Sequence, residues 1–181
     1  MVLFKVLSRL FIFVLLFAGC ASVPFTDEWR AREVMEGVTQ FYQARATVRS
    51  GELYTEISIF RPDPMTTHAQ VLSPERVAGL GYIFHEGGVE LSYHGLSVSL
   101  DSFGGALGLP VVRGISALSA ILLPTAEREL PTLQQDGLWL LHTELADGEC
   151  LLFLNGEGVP LKLLLPEWDV EFIFEDFTFL G

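Results

Sequence analysis

Cysteine is almost missing from this 181-residue chain, which has only Cys20 and Cys150. A framework of several disulfides is excluded, as is a thiolate zinc site, because no Cys-x-x-Cys spacing occurs. The four histidines, His68, His85, His94 and His142, stand singly, with no His-x-x-x-His to bring two ligands onto one face. Basic residues are scarce too: 11 Lys+Arg oppose 23 Asp+Glu, a formal charge of −12. Such a chain is poorly suited to phosphate backbones and to electrostatic adhesion on anionic lipid. No Gly-x-Ser-x-Gly elbow and no Gly-x-x-x-x-Gly-Lys-[Ser/Thr] loop is present. No apolar run reaches the roughly 20 residues that a spanning helix needs. Repeats and low-complexity blocks are missing as well, which leaves a length suited to one domain.

What is there begins with an address. Lys5 and Arg9 flank the apolar segment Leu10 to Phe17, and the small residues Ala18 and Gly19 precede Cys20. Charge, length and small residues read as a secretion signal. The run Leu15-Leu16-Phe17-Ala18-Gly19-Cys20 resembles the lipobox of bacterial lipoproteins, with Phe17 where that family most often has Leu. The resemblance implies that the signal is cut before Cys20, that its sulfur carries a diacylglyceryl group, and that the new terminus is acylated. The alternatives are an uncleaved signal anchor, or a secreted protein whose cysteine sits there by chance. The expected division is residues 1–19 as signal peptide, 20–26 as lipidated tether and 27–181 as the folded domain. Cutting after residue 19 leaves 162 of the 181 residues; two of the 11 basic residues go with the signal, so nine face 23 acidic ones, a charge of −14. With Cys20 acylated, Cys150 has no partner in the chain; its neighbours, Glu149 and leucines, favour an inert buried thiol over a reactive one.

Along the domain, Asp27 to Glu36 reads as a short helix begun by Thr26 or Asp27, with Glu28 favourable to its dipole. The period then becomes two. Phe41 to Arg49 and Glu52 to Phe60 alternate around Ser50-Gly51, Thr66 to Leu72 continues after Pro62 and Pro64, and Leu80 to His85 and Val89 to Tyr93 flank Glu86-Gly87-Gly88. Leu96 to Leu100 adds a further strand. After Gly104, Gly105 and Gly108, Pro110 opens a helix to about Leu123, with Val111, Ile115, Leu118 and Leu122 on one face. Strands resume over Leu138 to Leu145, Cys150 to Leu154, Val159 to Leu165 and Val170 to Leu180, joined at Asp147-Gly148, Asn155-Gly156 and Pro166. Strands, one helix and strands again predict an α+β fold with an antiparallel sheet. Consecutive apolar residues in the late strands, such as Leu151-Leu152-Phe153 and Leu163-Leu164-Leu165, make both sheet faces greasy there, so the helix, a protein partner or an apolar ligand must cover the second face.

Several segments together resemble the LolA/LolB-like superfamily of lipoprotein carriers. They are Gly37-Val38-Thr39-Gln40-Phe41-Tyr42-Gln43-Ala44, Glu56-Ile57-Ser58-Ile59-Phe60-Arg61-Pro62, Glu86-Gly87-Gly88-Val89-Glu90-Leu91-Ser92-Tyr93, and Gly158-Val159-Pro160-Leu161 before the closing Phe177-Thr178-Phe179. The resemblance implies a curved, incompletely closed antiparallel barrel, a half-barrel lidded by one or two helices, whose concave apolar side receives acyl chains. Cavity-facing candidates are Ile57, Ile59, Leu91, Val111, Ile115, Leu118, Leu122, Leu140, Leu152, Leu163 and Phe172. Arg61 matches the arginine of the carrier's Arg-Pro pair, a position tied there to handing over lipoproteins; read by itself, it caps the strand end or pairs with Asp63. Unlike the soluble carrier, this chain carries its own lipid site, and its helical lid looks smaller.

Catalysis is not expected, nor is a metal or a cofactor. Glu171 and Glu175 share one strand face while Phe172 and Phe174 take the other, which fits a solvated face better than a carboxylate pair around a sugar bond. The first expectation is a membrane-anchored, non-enzymatic envelope lipoprotein binding acyl chains or acylated-protein cargo. It would sit on the outer membrane facing the periplasm in a two-membrane cell, or on the outer face of the membrane in a one-membrane cell. The second is an interaction module docking an extracytoplasmic protein such as a cell-wall enzyme; no nucleic-acid partner is expected in either. The signal makes its own prediction: mature protein starts at Cys20 and partitions into detergent, and Cys20→Ala abolishes acylation. Intact-mass measurement checks this, and an unmodified Met1 terminus in the wild type would sink it.

Overall fold

The structure, a computed structural model, describes residues 27–86, 88–100, 109–123, 129–146 and 148–180. The expected signal peptide, Cys20 and the tether lie outside the described residues. The first helix, α1 (Asp27–Glu36), carries Asp27 and Glu28 in its first turn and buries Ala31 and Val34. Gly158 lies against it at φ 79, where a Cβ would run into the Val34 carbonyl, so glycine is required both for the backbone and for the approach.

Strands follow in two antiparallel series. The first comprises β1 (Tyr42–Ser50), β2 (Leu53–Arg61), β3 (Thr67–Ser73), β4 (Gly81–His85), β5 (Gly88–Tyr93) and β6 (Leu96–Leu100). The second comprises β7 (Thr132–Leu133), β8 (Trp139–Leu145), β9 (Gly148–Leu154), β10 (Pro160–Leu165), β11 (Val170–Phe174) and β12 (Thr178–Phe179). Each series runs outward by neighbour pairing, and β1 joins them by pairing with β11, giving the order β6-β5-β4-β3-β2-β1-β11-β10-β9-β8-β7. Among the described residues β6 and β7 have no further strand beside them, so the sheet is open, the half-barrel that was expected.

Register sorts the side chains. Ala46 pairs with Ile57 and Phe174, Val48 with Phe172, Phe172 with Leu163, Leu163 with Leu152, and Leu152 with Leu141. These buried residues form one continuous face, and the second helix, α2 (Pro110–Ile121), lies over its middle, against β1, β10 and β11. Pro110 sits in the first turn of α2, where its missing N–H costs no hydrogen bond. The helix buries Val111, Val112, Ile115, Leu118 and Ile121, each contributing about 1.5–3 kcal/mol if fully transferred from water.

Two expectations change. The strand anticipated from Val170 to Leu180 is two strands: Glu175 still donates its N–H to the Arg45 carbonyl at 2.9 Å in the register of Ala46 with Phe174, but Gln43 pairs with Thr178, so one extra residue bulges out between them. The break swings Phe177 inward to stack on Tyr42, ring centroids 5.0 Å apart. Leu140 faces away from α2: its neighbours Trp139 and Leu141 are buried toward the helix, and strand alternation puts Leu140 beside Phe153 on the opposite face. That face is not fully covered by described residues; Leu140, Leu151, Phe153 and Leu164 are half-buried there.

One contact sets the helix height. A Cβ built on Gly114 would overlap the Phe172 ring, so α2 rests on the sheet only because Gly114 has no side chain. Gly→Ala in an exposed helix should stabilise by up to about 1 kcal/mol. Gly114→Ala is expected to do the reverse and destabilise by about 1–3 kcal/mol, the range for overpacking. Denaturant unfolding checks the sign, and a stabilised variant would show that α2 rides loosely.

Candidate functional site

Most of the expected cavity residues line no space. Ile57, Ile59, Ile115, Leu118, Leu122, Leu152, Leu163 and Phe172 are all at most 2% exposed and pack in one core cluster, with Val111 at 6%. Leu91 packs half-buried against that cluster from β5. The middle of the lidded face is therefore dry and close-packed.

Open space lies along the flanks of α2. On the β8–β10 side is an apolar cleft of about 240 Å³, walled by Ala117, Leu145, Leu165 and Trp168. Its edge is closed by Arg113, whose guanidinium carbon lies 3.1 Å from the centroid of the Trp168 ring, a cation–π stack. On the β2–β4 side is a cleft of about 320 Å³ between α2 and the strand ends, bounded by Arg61, Met65, Thr67, Phe84, Ser119 and Leu123. Ser116 and Ala120 of α2 border both. A third, of about 180 Å³, sits at the start of α2 beside Leu53, Val77 and Leu109, and the expected cavity residue Val111 borders it.

The second cleft carries the unusual polar chemistry. Arg61 is 5% exposed, although its strand end abuts a turn. The turn is held without it: the Asp63 carboxylate accepts the N–H groups of Met65 and Thr66, both at 2.8 Å. Asp63 is thus occupied as an Asx cap, and Arg61 donates instead from Nη2 to the Pro64 carbonyl at 3.0 Å. Directly across from Arg61 in the register stands Tyr42, fully buried. Burial pushes the Tyr42 phenol up to about 12, while the neighbouring Ser119 hydroxyl and Arg61 guanidinium pull the other way. Even so, Tyr42 Oη, Arg61 Nε and Ser116 Oγ are buried without a partner at hydrogen-bond geometry.

Cys150 is buried, and desolvation raises its thiol to about 12, so it stays protonated and inert. His142 lies 3.0 Å from Glu149 on an exposed pair. Glu171 forms ion pairs with Arg49 and Lys162 on the outer face. Among the described residues no three His, Cys, Asp or Glu side chains are grouped to hold a metal ion, and no helix is long and apolar enough to cross a membrane.

Sequence reading singled out Arg61 but missed Tyr42, Ser116, Ser119, Arg113 and Trp168. Helical spacing groups Arg113, Ser116 and Ala120 as a less apolar stripe beside the buried face, and that stripe was the available signal. Nothing in the sequence aligns Tyr42 with Arg61 until the β1–β2 register is known.

No protein-family model and no curated protein matches the chain. Among solved structures it is similar to an uncharacterized conserved protein from Thermus thermophilus, at 14% identity and a TM-score of 0.44, with 86% of this chain and 88% of that one covered. It is similar to a LolA superfamily protein from Nitrosomonas europaea, at 11% identity and a TM-score of 0.41, with 83% and 94% covered. It is also similar to a chain in the complex of MucA and MucB from Pseudomonas aeruginosa, at 19% identity and a TM-score of 0.40, spanning 82% of this chain and 55% of that one. One of these neighbours is thus from the superfamily that the sequence motifs resemble, while the open, helix-lidded sheet rests on this chain's own strand register.

Proposed function

We propose that this protein is a non-enzymatic lipoprotein of the bacterial envelope, anchored through Cys20, that binds the acyl chain of a lipidic or acylated-protein cargo in the clefts flanking α2. The observation that carries this reading is the pair of apolar-walled clefts, about 320 and 240 Å³, that both border Ser116 and Ala120. Ligand sites are concave and mostly apolar with a few placed polar groups, and run to about 300–1,000 Å³. The larger cleft falls in that range unaided, and cargo running past Ala120 would use both. Leu118 and its buried neighbours act in this reading as the floor that fixes α2, not as the ligand's wall.

A second reading, docking of an extracytoplasmic protein, draws on a different feature. The edge strand β6 leaves Leu96 75% and Val98 58% exposed, and an uncharged edge is a template for an added strand.

A fluorescent fatty acid titrated into the domain from Asp27 onward separates the two. This domain carries one hydrophobic core that joins α1, α2 and both strand series. Saturable binding is expected, and Ala120→Trp should weaken it about ten-fold, a loss of roughly 1.4 kcal/mol. Ala120 is exposed, so the melting temperature should hardly move. Binding untouched by Ala120→Trp would remove the clefts as the site, and no binding would favour the docking reading.

A further inference from the structure

The helix-lidded face breaks its apolar pattern in one place. Only three polar or charged residues are buried among the described residues, Thr47, Arg61 and Thr67, and two of them, Arg61 and Thr67, border the cleft on the β2–β4 side of α2. The guanidinium of Arg61 is cationic and offers five N–H donors. Of these, one bond goes to the Pro64 carbonyl, Nε has no partner, and among the described residues no carboxylate forms an ion pair with it. Glu86 borders the same cleft but is exposed at its rim.

The groups around Arg61 are hydroxyls, able to donate or to accept. The Tyr42 phenol stays protonated beside the Ser119 hydroxyl and the Arg61 guanidinium; its Oη and Ser116 Oγ are enclosed without a partner at hydrogen-bond geometry, and Ser116 and Ser119 border the cleft. Phe177 stacks on Tyr42 and is itself held edge-on by Phe174 and Phe179, so the phenol is fixed in place. A buried guanidinium without a counter-ion is costly, and the chain has 23 carboxylates from which one could have been placed here. The complement of this cluster is an oxygen anion, which a guanidinium binds in forked geometry. Apart from the exposed His85 and Glu86 at its rim, the remaining wall of the cleft, Pro64, Met65, Phe84, Ala120 and Leu123, is apolar, which calls for an anion joined to a hydrocarbon chain.

We propose that Arg61, with the hydroxyls of Ser116 and Ser119 and with Tyr42 behind them as a positioning residue, forms a head-group site for an anionic single-chain amphiphile, a carboxylate or a phosphate monoester, whose tail lies along the Pro64–Phe84–Leu123 wall. The inference rests on the cargo-binding reading and adds the charge and position of the polar end.

The test is calorimetric titration of the domain from Asp27 onward with dodecanoate, dodecyl phosphate and dodecan-1-ol, each below its aggregation concentration. Wild type should bind one or both anions about ten-fold or more tighter than the alcohol, as charge-assisted hydrogen bonds require. Which anion binds better distinguishes a fatty acid from a phosphate ester. Arg61→Gln should erase that preference, weakening the anions far more than the alcohol. If Arg61→Gln does not fold, Tyr42→Phe, which removes one oxygen and keeps the Phe177 stack, should still narrow the preference several-fold. Equal affinity for all three ligands in wild type would overturn the head-group site and leave the apolar cleft standing. A preference that survives Arg61→Gln, or Tyr42→Phe where that variant decides, would overturn the site too. Failure of all three to bind would overturn both readings.

Discussion

The seating of α2 on Phe172 through Gly114 is the contact on which the rest of the molecule depends. An antiparallel sheet with one apolar face needs a cover, and here a single helix supplies it over β1, β10 and β11. A helix with its side chains is about 10–12 Å wide and strands are spaced about 4.7–4.9 Å, so one helix shields two or three strands. The sheet path has eleven. A tight seat under the helix and open clefts at both flanks are therefore two results of one shortage of cover. The small Ala44 and Ala46 on β1, both buried on the helix side, are also suited to a close seat.

That geometry explains which parts of the molecule could be read from the sequence. Strand positions came from two-residue alternation and helix positions from three- and four-residue spacing, both local properties of the chain. The buried list from Ile57 to Phe172 was visible for the same reason, since apolar residues on a common face end in a core. Whether that core is hollow was not visible. It turns on Gly114 meeting Phe172, two residues far apart in sequence and brought together by the packing of α2 on β11. The doubly apolar late strands misled in one respect: Leu140, Leu151, Phe153 and Leu164 remain half-buried on the side away from α2, and alternation inside a leucine-rich run cannot reveal which face is left uncovered. The two-residue strands β7 and β12 are too short to show any period.

Arg61 illustrates the same limit from the other direction. The Arg-Pro resemblance directed attention to it, yet the simplest local reading paired it with Asp63, which the structure shows engaged with the N–H groups of Met65 and Thr66. Its burial follows from pairing with Tyr42 across β1 and β2. A charge retained in such a place lowers stability relative to an apolar side chain of similar size. Local rules broken without a visible structural gain are expected to concentrate at functional positions. This is why the head-group proposal starts from Arg61 and not from the larger number of carboxylates on the outside.

Net charge constrains how a protein like this can meet a membrane. On the proposed cleavage before Cys20, nine basic residues would oppose 23 acidic ones, so an anionic bilayer would repel the domain over a Debye length of about 10 Å at 0.1 M salt. Surface adhesion cannot hold it, whereas covalent acyl chains contribute roughly 0.8 kcal/mol per buried CH2 and need no favourable charge. On the proposed anchoring, the seven residues 20–26 span at most about 25 Å when extended. Repulsion would push the domain toward the far end of that reach while the lipid prevents escape. The cleft beside Arg61 would then work close to the bilayer without being pressed into it, and an anionic head group would be recognised by short-range pairing inside the cleft, where salt screens little, and not by the long-range field of the chain, which opposes it.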